Sequence, residues 1–305
     1  MSGLGLSDLE NRIARTPLEP LTTFLDDPLR VLRTIRFISR FDLTMAPEIE
    51  SAIKNPEVIE TLMHKISRER VYKEFTLMMK GKNHQRSLYL LKNFGLLKVI
   101  FLVPEGIPDL LDQGSSFIEV IQRPRCDSNF ILYSAGILIY YGIEEYKVKR
   151  NKKDVLVYEA ICEDLKMNNF EISNVSGIIG NFKYMIEVLE VFSPLKIAEI
   201  IRRLKENWDL CLIIAAYFKY GSSESAENHI NRVKELVTGL GIEQIWLEKP
   251  LLNVRFIQGN EIKNLLKVEG KVIGAYSKEC LNWQVLNRNG TREELLNHLK
   301  NFVCH

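Results

Sequence analysis

The stretch Phe24-Leu25-Asp26-Asp27-Pro28-Leu29-Arg30-Val31-Leu32-Arg33-Thr34-Ile35-Arg36-Phe37-Ile38-Ser39-Arg40-Phe41 sets four arginines, three or four residues apart, behind a carboxylate pair and a proline. Proline at the first helical position has no amide hydrogen to lose, and an aspartate ahead of it can cap the amides that follow. A helix from Pro28 to Phe41 is therefore expected, with Asp26 or Asp27 as its cap. On such a helix Asp27 and Arg30 lie one turn apart on the same face. A carboxylate accepts from an exocyclic amine, and a guanidinium donates to ring nitrogens and carbonyls. The pair can thus read the Watson-Crick edge of a base. Cytosine and adenine offer the amine, whereas uracil and guanine offer a carbonyl there. Capping alone explains the two aspartates without a ligand. The run of Arg30, Arg33, Arg36 and Arg40 shifts the balance, because a purely solvated face more often alternates with acids.

Outward from this helix the chain reads as helix after helix. Residues 7–22 form a connector with Pro17 and Pro20 as breakers, and a helix is expected from about Pro47 to His64. Ser67-Arg68-Glu69-Arg70 opens another, with Val71, Phe75, Met78 and Met79 as a one-sided apolar stripe. The pattern continues through Leu88, Leu91, Phe94, Leu96 and Leu97. A helix and loop follow over 108–127, and an apolar helix over 129–143. Further helices are expected at about 154–167, 171–192, 194–206, 208–220 and 225–240. A hinge-like loop is expected at Gly221-Ser222-Ser223-Glu224-Ser225, and helices again at 259–267, 270–287 and 291–302. Strand signals are confined to short pieces near 250–257, so the class is all-α.

Composition narrows the functions open to this chain. With 305 residues, 46% apolar and 26% charged, it is long enough for two or three helical domains with real cores. A net charge of +2 means that any affinity for nucleic acid must come from local basic faces. Cys126, Cys162, Cys211, Cys280 and Cys304 are scattered without Cys-x-x-Cys or histidine pairing, which argues for reduced thiols inside a cell and against zinc. His64, His84, His229, His298 and His305 show no ligand spacing. No signal peptide, membrane-spanning run or arginine-rich leader is read, and the expected setting is cytoplasmic, or else mitochondrial or nuclear.

Several motifs together resemble the class II tRNA nucleotidyltransferases, the CCA-adding enzymes, in their eukaryotic branch. The acidic pair and arginine of that family's nucleotide-reading motif stand here as Asp26-Asp27-Pro28-Leu29-Arg30. Gly3-Leu4-Gly5-Leu6-Ser7-Asp8-Leu9-Glu10-Asn11 resembles the hinge that ends its catalytic domain, followed by Ile13-Ala14-Arg15-Thr16-Pro17-Leu18-Glu19-Pro20. Ile66-Ser67-Arg68-Glu69-Arg70 resembles the motif that buttresses the nucleotide-reading helix. Lys249-Pro250-Leu251-Leu252-Asn253 and the run from Trp283 to Leu296 resemble the tail of fungal and plant members. Val254-Arg255-Phe256-Ile257-Gln258 departs from the family as an insertion ahead of Gly259.

The resemblance implies a head-to-neck connector at 1–22, a neck with the nucleotide-reading helices at 23–107, a helical body at 108–240 and an RNA-binding tail at 241–305. It also implies CTP and ATP as substrates, tRNA as partner, and Mg2+ bound by a catalytic head that this sequence does not carry. Two-metal chemistry needs two carboxylates on one face of a strand. The nearest decoy, Gly114-Ser115 followed by Asp127-Ser128-Asn129, offers an amide where the second carboxylate belongs. No catalytic residue is therefore assigned. Asp26, Asp27, Arg30 and Arg33 are the nucleotide-binding candidates, while Ser67, Glu69 and Arg70 are assigned to support.

For the basic cluster Lys147, Lys149, Arg150, Lys152 and Lys153, a solvated loop competes with a phosphate-tracking patch for RNA. Arg202 and Arg203 are a weaker candidate of the same kind. Trp208, Trp246 and Trp283 fit packing positions. The expected function is base selection and tRNA binding in tRNA 3′-terminal CCA addition, by a chain inactive alone. A non-catalytic helical RNA-binding protein and the second half of a split nucleotidyltransferase with a separate head are the alternatives. A relative of bacterial poly(A) polymerases is a third.

Overall fold

The computed structural model describes residues 4–119, 121, 126–241, 257–287 and 289–302, and helices make up nearly all of its regular structure, as the all-α class requires. The chain divides into two compact units, residues 1–180 and 181–305.

In the first unit α1 (Leu4–Glu10) leads to a two-residue strand β1 (Ile13–Ala14), then to α2 (Pro20–Asp26) and α3 (Leu29–Phe41). Pro20 starts α2 where a breaker was expected, because proline is tolerated in a first helical turn and Glu19 caps the Thr22 amide at 2.6 Å. Asp42 in the left-handed region ends α3, and β2 (Thr44–Met45) pairs in parallel with β1. The single helix expected over 47–64 is two, α4 (Pro47–Ile53) and α5 (Pro56–Lys65). Pro56 cannot continue a helix from its predecessor, and Asn55 Oδ1 caps the Glu57 amide at 2.9 Å.

α6 (Arg68–Met79) packs against α3 and against α7 (His84–Asn93), and α8 (Leu97–Ile100) follows a turn at Gly95 with φ +63°. Phe75 on α6 meets Phe101 and Phe130 edge-on at centroid distances of 5.2 and 5.7 Å, and all three rings are sealed in the core. Such edge-to-face pairs favour the ring quadrupoles.

α9 (Leu111–Ile118) lies against α10 (Asn129–Ile143), which is apolar on every side and buried for most of its length. Residues 147–156, read from sequence as a basic loop running into a helix, form an antiparallel hairpin, β3 (Lys147–Arg150) with β4 (Lys153–Leu156). Its turn puts Asn151 and Lys152 at φ +49° and +65°, the two positive angles that a two-residue hairpin turn demands. α11 (Val157–Asp164) and α12 (Asn169–Gly180) complete the unit.

The second unit holds α13 (Phe182–Val191), α14 (Pro194–Leu204), α15 (Trp208–Tyr220), α16 (Ser223–Leu240), α17 (Gly259–Leu266), α18 (Lys271–Leu286) and α19 (Arg292–Asn301). The expected 171–192 helix is thus split at Asn181. The expected five-residue hinge at 221–225 contracts to Gly221 and Ser222: Gly221 ends α15 at φ +68°, and Ser222 Oγ caps α16 through the Ser225 amide. Ile257, Ile262, Cys280, Leu295 and Leu299 form the small core beneath α17 to α19. Apart from Ile257, which is in no strand, the strand pieces expected near 250–257 lie outside the described residues, as do Trp246 and most of the proposed insertion.

Candidate functional site

Pro28 determines the geometry of the α2–α3 corner. A residue ahead of proline is pushed out of the helical region, and Asp27 sits extended at φ −132°, ψ 91°. Its amide donates to Thr23 O at 3.3 Å, ending α2, and its carbonyl accepts from the Arg30 amide at 3.0 Å, opening α3. The backbone of Asp27 thereby joins the two helices. Its carboxylate does not cap: α3 has no side-chain cap, so the capping expected of Asp26 or Asp27 is not made.

The Asp27 carboxylate stands 3.8 Å from Arg30 Nε and 3.4 Å from Arg70 Nη2, and Asp26 stands 3.6 Å from Arg30 Nη2. Asp27 keeps 27% of its side-chain exposure and Arg30 44%. Ion pairs this long and this open are worth about 0–1 kcal/mol each, so an incoming polar ligand displaces them at little cost. Asp27 and Arg30 share one side of the corner and both reach solvent.

Along α3 the four arginines divide. Arg33 is exposed and has no ion-pair partner among the described residues. Arg36 turns inward: its Nε lies 2.6 Å from Glu74 on α6, with both side chains close to nine-tenths buried. A guanidinium brought this far out of water needs that carboxylate. Arg40 is exposed and lies over the Phe41 ring at 5.2 Å.

Arg70 reaches Asp27 across the α3–α6 pair, whereas Ser67 precedes α6 without a side-chain cap and Glu69 is exposed in its first turn. The residue that the sequence reading passes over, Arg68, makes the longest-range bonds of the four. Its guanidinium donates to Val99 O at 2.7 Å, to Ile100 O, and to Asp164 O at 3.4 Å, joining α6 to the ends of α8 and α11. Burial lowers its pKa from the ordinary arginine value. Its position between a helix-starting serine and an acid gave no hint of this, because the carbonyls it satisfies come from distant helix ends.

The basic cluster is likewise divided. Arg150 is bound to Asp164, and to Glu163 at 3.4 Å, and the hydrogen bond to Asp164 raises its pKa. This guanidinium ties the hairpin to α11. Lys147, Lys149, Lys152 and Lys153 are exposed, and Lys149 stands opposite Asp154 across the ladder. Arg203 bonds Glu199 at 2.5 Å and Asn181 Oδ1 at 3.3 Å and covers the Tyr184 ring at 4.7 Å, and Arg202 is half-buried. Trp208 is buried and Trp283 half-buried.

The Gly114-Ser115 decoy is packing. A Cβ at Gly114 would stand 2.0 Å from Ile137 O, so glycine is what lets α9 touch the backbone of α10. Cys162, Cys211 and Cys280 are buried and Cys126 is exposed. Among the described residues no group of three or more His, Cys, Asp or Glu side chains gathers to hold a metal ion. The residues present do not fit the magnesium that the resemblance implies, and no metal step is assigned to them.

Comparison with known proteins agrees with this reading of the fold. A family model described as "Probable RNA and SrmB-binding site of polymerase A" matches residues 42–110. The tRNA nucleotidyltransferase cca2 of Schizosaccharomyces pombe is 26% identical over 317 residues, covering 97% of this chain and 64% of its own. The mitochondrial CCA tRNA nucleotidyltransferase of Saccharomyces cerevisiae is 26% identical over 353 residues, covering 97% and 63%. The chain thus spans a little under two thirds of these yeast relatives. The crystal structure of the Bacillus stearothermophilus CCA-adding enzyme in complex with CTP superposes with a TM-score of 0.68 at 17% identity, over 97% of this chain and 67% of that one. The Thermotoga maritima CCA-adding enzyme complexed with tRNA gives 0.60 at 18%, over 97% and 65%.

The fold is therefore the one that these solved CCA-adding enzymes share over the matched part of their chains. By sequence the chain is similar, along nearly its whole length, to the yeast tRNA nucleotidyltransferases.

Proposed function

We propose that this chain supplies base selection and tRNA binding to the addition of cytidine, cytidine and adenosine at tRNA 3′ ends, with CTP and ATP as substrates. One observation carries the reading: the Asp27 carboxylate, released from capping, stands on one side of the α2–α3 corner with Arg30, and both reach solvent. A carboxylate accepting from an exocyclic amine beside a guanidinium donating to the ring edge favours cytosine and adenine. Uracil and guanine bring a carbonyl against the carboxylate and leave polar groups unpaired. Arg33, one turn further on and without an ion-pair partner among the described residues, is the candidate for the triphosphate or for support of the base, and Asp26 completes the acidic pair. Arg70 positions Asp27, with Ser67 and Glu69 at the start of its helix.

In this reading residues 23–107 are the neck, 108–240 the body and 241–305 the tail, and the body and tail follow the phosphates and shape of the acceptor arm. Lys147, Lys149, Lys152 and Lys153 are candidates for that role, with Arg150 as their anchor; Arg202 and Arg203 are the weaker ones. The names of the Bacillus structure and of a CCA-adding enzyme complexed with ATP support the nucleotide substrates, and that of the Thermotoga structure supports tRNA. Two yeast relatives carry mitochondrial names, which supports a mitochondrial setting beside the cytoplasmic one. No helix among the described residues is long and apolar enough to cross a membrane.

The test joins the chain to a metal-binding catalytic head and measures labelled CTP and ATP incorporation into tRNA lacking its terminus. Arg30→Ala is expected to lower incorporation roughly 10- to 100-fold, the loss of one or two charge-assisted bonds. The 305-residue polypeptide by itself is expected to incorporate none. Unchanged rates and unchanged preference over UTP and GTP in Arg30→Ala would remove the assignment.

A further inference from the structure

We propose that the cleft between the end of α3 and the α6–α7 turn binds a phosphate group of an RNA strand, a second nucleic-acid contact on the helix that carries Asp27 and Arg30. This rests on the tRNA-binding reading above and adds a site to it. The cleft has a volume of about 180 Å³ and is lined by Arg36, Arg40, Lys80 and Lys82, together with Ser39, Asn83 and four other residues, none of them acidic.

Glu74 neutralises Arg36. Arg40 and Lys82 are exposed and have no carboxylate partner among the described residues. Two uncompensated cations facing one concavity repel each other, and that repulsion is relieved when an anion enters.

The neutral groups favour the same ligand. Asn83, the residue ahead of α7, donates its amide to Ser39 O at 2.8 Å and makes no side-chain cap, so the positive end of that helix adjoins the cleft. Ser39 is 1% exposed, and its Oγ is buried with no partner among the described residues. A buried hydroxyl left unbonded is uncommon and costs stability, so a small acceptor ligand against this wall has a donor to meet.

The surface beside the cleft selects a strand over a free anion. Phe37 and Phe41 are 38% and 50% exposed and stack on each other at 6.0 Å with a 7° interplanar angle. Arg36 lies over the first ring at 4.3 Å and Arg40 over the second at 5.2 Å. A half-exposed ring beside an exposed cation, as Phe41 beside Arg40, is a surface on which nucleic-acid strands lay bases and phosphates. The turn from Leu77 to Ser87 also falls within residues 42–110, matched by the RNA-binding family model. Arg40 lies ten residues along α3 from Arg30, about 15 Å at 1.5 Å per residue, so the two sites are altered separately.

The experiment titrates the full chain with tRNA across salt concentration, for the wild type, Arg40→Gln, Lys82→Gln and the double variant. Both side chains are on the surface, and thermal melts of the variants check that the fold is kept. The double variant is expected to bind roughly 10-fold more weakly at low salt, with the slope of log affinity against log salt reduced by about one. In a second arm, inorganic phosphate is expected to raise the melting temperature of the wild type and not of the double variant. Unchanged tRNA affinity and slope in the double variant, with phosphate stabilisation still lost, would overturn the RNA source and leave a free-phosphate site. No change in either arm overturns the site itself. A wild type that binds no tRNA at all counts against the proposed function, and the phosphate arm then judges the cleft independently.

Discussion

At the α2–α3 corner a single proline decides what an aspartate is free to do. Pro28 forces Asp27 out of the helical region, so the residue ends one helix and opens the next through its backbone, and its carboxylate is left with two exposed guanidiniums at 3.4 and 3.8 Å. The proposed base discrimination then depends on the carboxylate being an acceptor only. Replacing Asp27 by Asn keeps the volume and supplies an amide that accepts from an amine in one orientation and donates to a carbonyl in the other. In the head-joined protein, Asp27→Asn is therefore expected to relax selectivity by roughly 10-fold or more, chiefly by admitting UTP. Competition between CTP and UTP in single-nucleotide incorporation measures it. Selectivity equal to that of the wild type would mean that the carboxylate does not face the base. The candidate corner is legible in the sequence because Asp26, Asp27, Pro28 and Arg30 are adjacent, and their relation follows from local dihedrals. Arg68 is illegible for the opposite reason. Its acceptors at residues 99, 100 and 164 are carbonyls at the ends of other helices, and no side-chain pattern marks them.

Among the elements, the α3–α6 pair sets the position of the corner, and its polar seam is Arg36 with Glu74. The side chains keep only 13% and 10% exposure, and their contact of 2.6 Å makes each the other's counter-charge. Removing one partner of such a pair leaves an uncompensated charge at a packed interface, at a cost of roughly 3–5 kcal/mol when burial is complete. With the remaining access to water, Glu74→Ala is expected to destabilise the first unit by about 2–3 kcal/mol. Replacing both residues by apolar side chains of similar size is expected to restore most of that loss. Urea unfolding with an unchanged slope and a lowered midpoint would register the single change, whereas a midpoint equal to that of the wild type would show that Arg36 escapes to solvent. The same scale shows what periodicity conveys. Helices with one continuous apolar face, such as α3 and α6, and those apolar nearly all round, α10 and α15, are where the sequence places them. Boundaries at Pro56 and Asn181 are lost, because the apolar pattern runs across both breaks while the backbone does not. The hairpin at 147–156 escapes notice because its lysines and arginine hide a period-two alternation, with Val148 and Arg150 half-buried and Lys147 and Lys149 exposed.

Across the molecule, tyrosines hold much of the buried hydroxyl chemistry and set the alkaline limit of the fold. Tyr141 is sealed, donates to Pro108 O at 3.2 Å and accepts the Leu110 amide at 3.0 Å, and burial pushes its pKa to about 12. Tyr158 and Tyr72 in the same unit are pushed to about 12, first by burial, with the Glu171 carboxylate that accepts from Tyr72 adding to the shift there. In the second unit Tyr184, bonded to Glu199 at 2.9 Å, is likewise raised to about 12. A tyrosine whose folded pKa lies above its unfolded value contributes stability that is complete below about pH 10. Between 10 and 12 the unfolded chain has lost the proton and the folded chain has kept it, so stability falls as pH rises. For a sealed residue such as Tyr141 two units correspond to about 2–3 kcal/mol, and the half-exposed residues contribute less. The urea midpoint is therefore expected to be level through neutral pH and to drop steeply above pH 10, with the first unit giving way as its three raised tyrosines ionise together. Tyrosinate absorbance should rise late and cooperatively with the loss of helix. A titration in which every tyrosine ionises near pH 10 while the helices persist would show that these hydroxyls reach water, and that the core drawn around α10 is looser than its packing implies.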